Sequence, residues 1–189
     1  MSNTTRIPDR WSGSIKLVTL KKRNKAILQL LDSIHKDAKE KVVYTNKDCN
    51  STKKFSRLSK LFRDLLKQQG FKMLDSGGYK IVYKHPDYSE FVVKVYKDDY
   101  GHGEDTNVSK LPKYLRRHLL EPILKKQLYL VQPSVNNESG KWKENPPEWA
   151  LFELLGNDSR AEFAQELDIR AGNIRYHNGH PVIIDFCGV

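Results

Sequence analysis

The sequence contains little cysteine and no long apolar run. Its two cysteines, Cys49 and Cys187, have neither the number nor the spacing of a disulfide framework or a zinc site, which favours a reducing compartment. No stretch approaches the roughly 20 apolar residues that a transmembrane helix needs, and the N-terminus lacks the apolar core of a signal peptide. We therefore expect a cytoplasmic protein that does not bind membranes.

Acidic residues are scarce only in the first part of the chain. The net charge is +10, and residues 1–72 hold 18 Lys and Arg against 6 Asp and Glu. This excess predicts a surface that attracts an acidic protein or a nucleic acid. The alternative is a basic helical face that is simply solvated. No zinc-finger spacing or aromatic-interleaved basic stripe adds to the nucleic-acid interpretation.

The chain is long enough for one full-sized domain with a core, at 189 residues with 38% hydrophobic and 30% charged. Apolar residues recur at helical spacing from Lys22 to about Lys41 and again between Phe55 and Leu66. Asn50-Ser51-Thr52 is a candidate N-cap for the second helix, and Gly70 is its candidate C-cap. These spacings predict two amphipathic helices.

A change to strand periodicity follows at Phe71. Two stretches with strand-like alternation are separated by Gly77-Gly78 and Tyr79, which predicts a hairpin. Glycines in such a hairpin let backbone amides approach phosphate closely. The alternative is an ordinary β-turn. The next strand, Phe91 to Tyr96, embeds Lys94 among β-branched residues, and burying its ammonium would need an anion. The alternative is a strand that exposes Lys94 on its outer face.

The middle of the chain is less regular. A helix is predicted from Val108 to Leu120, with Glu104 near its start, followed by a strand pair at 123–124 and 128–131. Gln132-Pro133-Ser134 would connect this part to a linker. Two short helices are then predicted between residues 149 and 167.

The C-terminal stretch concentrates the hard oxygen ligands. Asp168 and Asn173 would lie on one loop, and Asn178-Gly179 predicts a two-residue hairpin that ends near Asp185. The two loops would bring three oxygen ligands and a candidate base together, which suits a Mg²⁺-phosphate site. Taken alone, Asp-x4-Asn is equally consistent with a polar turn.

In this order along the chain, the motifs resemble the protein-kinase-like superfamily. The glycine hairpin fits the frame of a kinase glycine-rich loop, with Asp75 and Lys80 in place of its first and third glycines. The Gly-Phe-Lys-Met-Leu lead-in, residues 70–74, and the Asp-x-x-x-Gly-Asn-Ile loop are similar to the small early serine/threonine protein kinases of podovirus-type bacteriophages.

The resemblance implies an α+β, minimal protein-kinase-like fold. Residues 1–70 would form a basic helical N-terminal extension, residues 71–133 a β-sheet N-lobe, and residues 134–189 a much reduced C-lobe with the catalytic and metal loops. For a phage-encoded protein, the compartment would be the cytoplasm of the host cell.

The resemblance also implies a function, namely phosphoryl transfer from ATP, with Mg²⁺, to Ser/Thr hydroxyls of acidic host proteins. Site residues carry over position by position: Asp168, Arg170 and Lys94 as catalytic; Gly77, Gly78, Tyr79, Lys94 and Glu104 as nucleotide-binding; Asn173 and Asp185 as metal ligands. Two alternatives remain: a small-molecule phosphotransferase, and a catalytically weak, kinase-shaped protein that inhibits an acidic host target.

Overall fold

The computed structural model describes residues 25–44, 50–99, 118–120, 122–135, 171–177 and 180–184. These ranges contain two helices and seven strands. The helices are α1 (Lys25–Lys41) and α2 (Ser51–Gln68), and the strands are β1 (Lys72–Ser76), β2 (Lys80–Lys84), β3 (Phe91–Tyr96), β4 (Leu124–Lys125), β5 (Tyr129–Pro133), β6 (Ile174–His177) and β7 (His180–Ile183). Neither of these helices has the length and apolar content to cross a bilayer.

The two predicted helices are confirmed, and both have the caps or spacing that the sequence indicates. The Asn50 side chain accepts a hydrogen bond from the Lys53 backbone N–H at 2.8 Å and so caps the N-terminus of α2. Gly70 follows the C-terminus with a φ of 85°, and the Phe71 N–H donates to the Leu66 carbonyl. This arrangement satisfies carbonyls of the last turn.

Five strands form one antiparallel sheet in the order β1-β2-β3-β5-β4. The predicted glycine hairpin connects β1 to β2, and the predicted strand pair before residue 134 is confirmed as β4 and β5. Strand β3 has the predicted bounds and lies at the centre of the sheet, between β2 and β5. The architecture is therefore α+β, as expected.

The main core lies between the two helices and one face of the sheet. Directly paired residues of antiparallel strands share a face, and the register pairs Val95 with Tyr129 on this side. Tyr129 stacks on Phe62 of α2 with 4.9 Å between ring centroids. One continuous cluster of buried side chains includes residues of α1, α2, β2, β3 and β5.

The opposite face of the sheet is turned towards the hairpin of β6 and β7. The register pairs His177 with His180 and leaves two residues between the strands, as Asn178-Gly179 predicts. Leu119 joins β7 through a parallel bridge to Ile183. The helix predicted from Val108 to Leu120 is therefore wrong at its C-terminal end, because residues 118–120 bond to a strand instead.

Candidate functional site

Lys94 is buried on the sheet face that is turned towards the β6–β7 hairpin. Its side chain is only 5% exposed, so the alternative of a solvent-facing lysine is wrong. The register pairs it with Val82 on one side and Leu130 on the other, which places all three side chains on one face. A buried ammonium requires compensating negative charge or hydrogen-bond acceptors.

The Lys94 ammonium links the sheet to the C-terminal hairpin. Its Nζ donates to the Ile184 carbonyl oxygen at 2.5 Å. The Ile184 N–H in turn donates to the Asn173 carbonyl oxygen at 2.8 Å. Lys94, Asn173 and the residue immediately before Asp185 therefore meet at one place, although they are up to 90 positions apart in sequence.

The glycine hairpin lies at the edge of the sheet and is exposed. Gly77, Gly78 and Tyr79 are all accessible, with Tyr79 46% exposed. The Gly77 N–H donates to the Lys80 carbonyl at 3.0 Å, and the Lys97 ammonium donates to the Gly77 carbonyl. The first glycine amide is thus used to close the turn. Around Gly78 there is open space, since an added Cβ would meet no atom within 4 Å.

Arg175 and Asp75 bring opposite charges to this side of the molecule. Burial lowers the pKa of the Arg175 guanidinium, and the negative charge of Asp75 acts in the opposite direction. The guanidinium donates to the carbonyls of Gly172 at 2.8 Å and Ile174 at 2.7 Å. Asp75 is paired in register with Val82 and lies on the Lys94 face. The charge of Asp75 is consequently felt across the gap between sheet and hairpin.

Gln132 forms a second link between the sheet and the segment beside β7. Its Nε2 donates to the Leu120 carbonyl at 2.7 Å, and the Leu120 N–H donates to the Ile183 carbonyl at 2.9 Å. The sequence predicts Gln132 in a connector, but it is a buried residue of β5. Ser134 follows the strand and accepts a hydrogen bond from the Lys84 ammonium at 2.9 Å.

Four of the predicted site residues lie outside the described residues: Asp168, Arg170, Glu104 and Asp185. The two helices predicted between residues 149 and 167 lie outside them as well. Of the two predicted metal ligands, only Asn173 is described, and within the described ranges no three His, Cys, Asp or Glu side chains cluster as a metal site would require. The metal ligands therefore stay a prediction.

Lys80 and Arg175 have no role in the site that the sequence predicts. In the motif that resembles a kinase glycine-rich loop, Lys80 only takes the place of a glycine. In the structure, however, Lys80 is 6% exposed and lies on the same face of the sheet as Lys94. The alternation of Lys80, Val82 and Lys84 along β2 is the signal that the sequence offers. It becomes informative only when the register with β3 is known.

Comparison with known proteins gives no family assignment. The chain matches no protein-family model, no curated protein and no solved structure at a significant level.

Proposed function

We propose that this chain is a minimal, phage-type protein kinase that transfers the γ-phosphoryl group of ATP to Ser or Thr hydroxyls of host proteins in the host cytoplasm. The observation that carries the proposal is the meeting of Lys94 with Ile184 and Asn173 across the gap between sheet and hairpin. These three residues lie in three separate motifs among those that, in their order along the chain, resemble protein kinases. A chance likeness between short motifs gives no reason for them to converge in space.

The sheet supports the same proposal. Its five antiparallel strands and their order are compatible with the N-lobe of a small kinase-like fold. The glycine hairpin joins the first two strands, and the buried lysine is on the third. Both are therefore on elements that the nucleotide would contact in such a lobe.

Each residue of the proposed site has a separate task. Lys94 would hold the α- and β-phosphates, and Arg170 would neutralise charge that develops during transfer. The substrate hydroxyl oxygen attacks the γ-phosphorus while the bond to the β–γ bridging oxygen breaks and ADP leaves. The hydroxyl proton passes to the Asp168 carboxylate. Most of the rate enhancement would come from positioning and electrostatics.

The donors in this part of the chain fit a hard cation as well as a nucleotide. Asn173 supplies an amide oxygen and Asp185 a carboxylate, the ligand types that Mg²⁺ prefers. The ion would neutralise phosphate charge when bound. The Asn173 backbone is fixed independently, because its carbonyl accepts the Ile184 N–H.

The test is phosphoryl transfer by the purified chain from γ-labelled ATP, with Mg²⁺, to a bacterial host lysate. We expect label on host proteins with the parent chain and none with Asp185→Ala. Asp168→Ala should lower kcat by about 10²–10⁴-fold, as loss of a general base does, while nucleotide affinity changes little. Lys94→Met should impair the transfer too, because it removes the ammonium that holds the phosphates.

Lys84→Met is the matched control for Lys94→Met. Lys84 is a lysine of the same sheet, half-buried, and bonded to Ser134 rather than to the hairpin. Its replacement should leave transfer unchanged. The proposal is overturned if the parent transfers no label, or if Asp185→Ala and Lys94→Met transfer as much as the parent does. Label on aminoglycosides or sugars instead of proteins would favour a small-molecule phosphotransferase.

A second candidate function is supported by the surface of α2. Lys53, Arg57 and Lys60 are exposed and recur at helical spacing along one side of this helix. Such a stripe suits an acidic protein partner. Salt-sensitive binding to an acidic protein, without ATP turnover, would support a kinase-shaped binding protein in place of an enzyme.

A further inference from the structure

Lys80 is a second buried lysine on the face that carries Lys94. It opens strand β2, directly after the glycine hairpin, and its side chain is 6% exposed. Its Nζ lies 5.9 Å from the centroid of the Tyr96 ring. A cation over an aromatic face is attracted by the ring quadrupole, so Tyr96 helps to hold the ammonium on this side of the sheet.

The register places the two lysines on adjacent strands and close together. Lys80 pairs with Tyr96 and Val82 pairs with Lys94, so Lys80 and Lys94 are diagonal neighbours on one face. Diagonal neighbours in an antiparallel pair are about 7–8 Å apart at the backbone, within the reach of two long side chains to a common ligand. The face therefore presents two ammonium groups to whatever lies between the sheet and the β6–β7 hairpin.

Two ammonium groups on one buried face, beside whatever else each of them contacts, create a positive potential that attracts an anionic ligand. A di- or triphosphate fits this requirement because its phosphates share bridging oxygens and carry several negative charges on one short chain. A carboxylate carries only one negative charge, and a monophosphate holds its charge at one point, whereas a polyphosphate can meet each ammonium with a different phosphate group. We therefore expect this pair of lysines to bind the phosphate chain of a nucleotide rather than its base or sugar.

The glycine hairpin has fewer free amides to offer phosphate than a glycine-rich loop has. In a glycine-rich loop, backbone amides approach the phosphates. Here the Gly77 N–H is already bonded to the Lys80 carbonyl at 3.0 Å, and the chain has Asp75 and Lys80 where the resemblance implies further glycines. An ammonium at position 80 would supply positive charge that this hairpin's amides do not.

We propose that Lys80 is a phosphate-binding residue that acts together with Lys94 on the polyphosphate chain of a nucleoside di- or triphosphate. The inference rests on the proposed function for the nucleotide site and adds a residue to it. It concerns binding, so it can be tested without measuring phosphoryl transfer.

The experiment is a calorimetric titration of the full chain with ATP, inorganic tripolyphosphate and AMP at one fixed, low ionic strength. We expect Lys80→Met to weaken ATP and tripolyphosphate binding about tenfold or more, the size of a lost charge-assisted contact. AMP should be affected less. Lys84→Met, on the same strand and face, is the matched control and should stay within about twofold of the parent.

Two further variants separate a binding role from a structural one. Lys80→Arg keeps the positive charge and should retain most of the tripolyphosphate affinity. A loss of tripolyphosphate affinity that exceeds the loss of AMP affinity in Lys80→Met is the result that a purely structural lysine over Tyr96 would not give. Circular dichroism shows whether each variant is folded. If Lys80→Met does not fold, Lys80→Gln, which removes the charge but keeps a polar side chain, is titrated in its place.

The outcomes distinguish this inference from the proposed function. Unchanged ATP and tripolyphosphate affinity in the neutral Lys80 variant would overturn the role of Lys80, even if the parent chain transfers phosphate. Tripolyphosphate binding that depends on Lys80, in a chain that transfers no label, would uphold the inference and overturn the kinase proposal. A parent chain that binds neither ATP nor tripolyphosphate would overturn both.

Discussion

His35 shows how a single buried titratable residue sets a pH dependence in the helical layer. Its ring stands edge-on to Phe62 and Tyr129, with 6.0 Å and 5.7 Å between centroids. Its Nε2 has no hydrogen-bond partner among the described residues. Burial lowers the pKa of the imidazole, and the positive charges of Lys39 and Lys126 lower it further. The folded protein therefore favours the neutral ring.

We predict that acid weakens the fold through His35. The unfolded chain takes up a proton near the ordinary pKa of 6.5, and the folded chain does so only at lower pH. The stabilising contribution of His35 to the free energy of unfolding should thus be complete above about pH 6.5. It should decrease as the pH falls below 6.5, because the unfolded state then binds more protons than the folded state. Denaturant unfolding of the parent and of His35→Leu across this window measures the effect.

The difference between the two unfolding profiles isolates His35 from the other histidines. The variant should lose part of the parent's decline below pH 6.5. Asp32 opposes the shift only weakly, as the smallest of the contributing charges, and remains in both proteins. Parallel profiles for parent and variant would show that the imidazole titrates alike in the folded and unfolded states.

The residues of the candidate site differ in how far the sequence alone could locate them. The place of Lys94 in a strand could be predicted from local alternation, but its burial could not, because a strand that exposes the lysine on its outer face fits the same pattern. Its contact with the Ile184 carbonyl could not, since it joins residues 90 positions apart. The burial of Lys80 beside Lys94 could not be predicted either, because it depends on strand register. Register is set by tertiary packing as well as by turn chemistry.

At the scale of elements, the turn after α2 depends on Gly70. Its φ of 85° lies in the left-handed region, and a Cβ there would meet the His85 Nε2 at 3.1 Å. That nitrogen is engaged with the Gln69 carbonyl, also at 3.1 Å. We predict that Gly70→Ala lowers the free energy of unfolding by about 1–2 kcal/mol, from backbone strain alone, as measured by urea denaturation.

Gly78→Ala is the matched control for this substitution. Gly78 does not have a left-handed φ, and its added Cβ would meet nothing within 4 Å. Alanine there should leave stability unchanged or raise it by up to about 1 kcal/mol, through reduced freedom of the unfolded chain. Equal losses in both variants would mean that the left-handed φ at Gly70 is not the cause of the destabilisation.

The helices and the central strands were predictable because their signals are local. Helical spacing, the Asn50 cap and Gly70 each act within a few residues, and the bounds of β3 follow from alternation after the turn at His85-Pro86. The segment ending at Leu120 was mispredicted for the opposite reason. Its apolar residues fit a helix, but Leu119 pairs with Ile183, and that partner lies far along the chain.

At the scale of the whole molecule, the basic helices and the sheet share one core. Phe62 of α2 is fully buried and stacks on Tyr129 of β5. The Ser59 hydroxyl donates to the Tyr96 carbonyl at the end of β3, which ties the same helix to the sheet backbone. The helices therefore support the strand that carries Lys94. A change in this helical layer should be felt on the opposite face of the sheet.

We predict that Phe62→Ala lowers the free energy of unfolding by about 3–5 kcal/mol, as large aromatic deletions from cores do. Because helices and sheet share this core, the loss should appear equally in the far-ultraviolet helical signal and in hydrogen exchange of the β5 amides. Lys60→Ala, an exposed change on the same helix, should shift neither by more than about 0.5 kcal/mol. Loss of helical signal with unchanged β5 protection would mean that the helices unfold independently, and that the strand holding Lys94 does not need them.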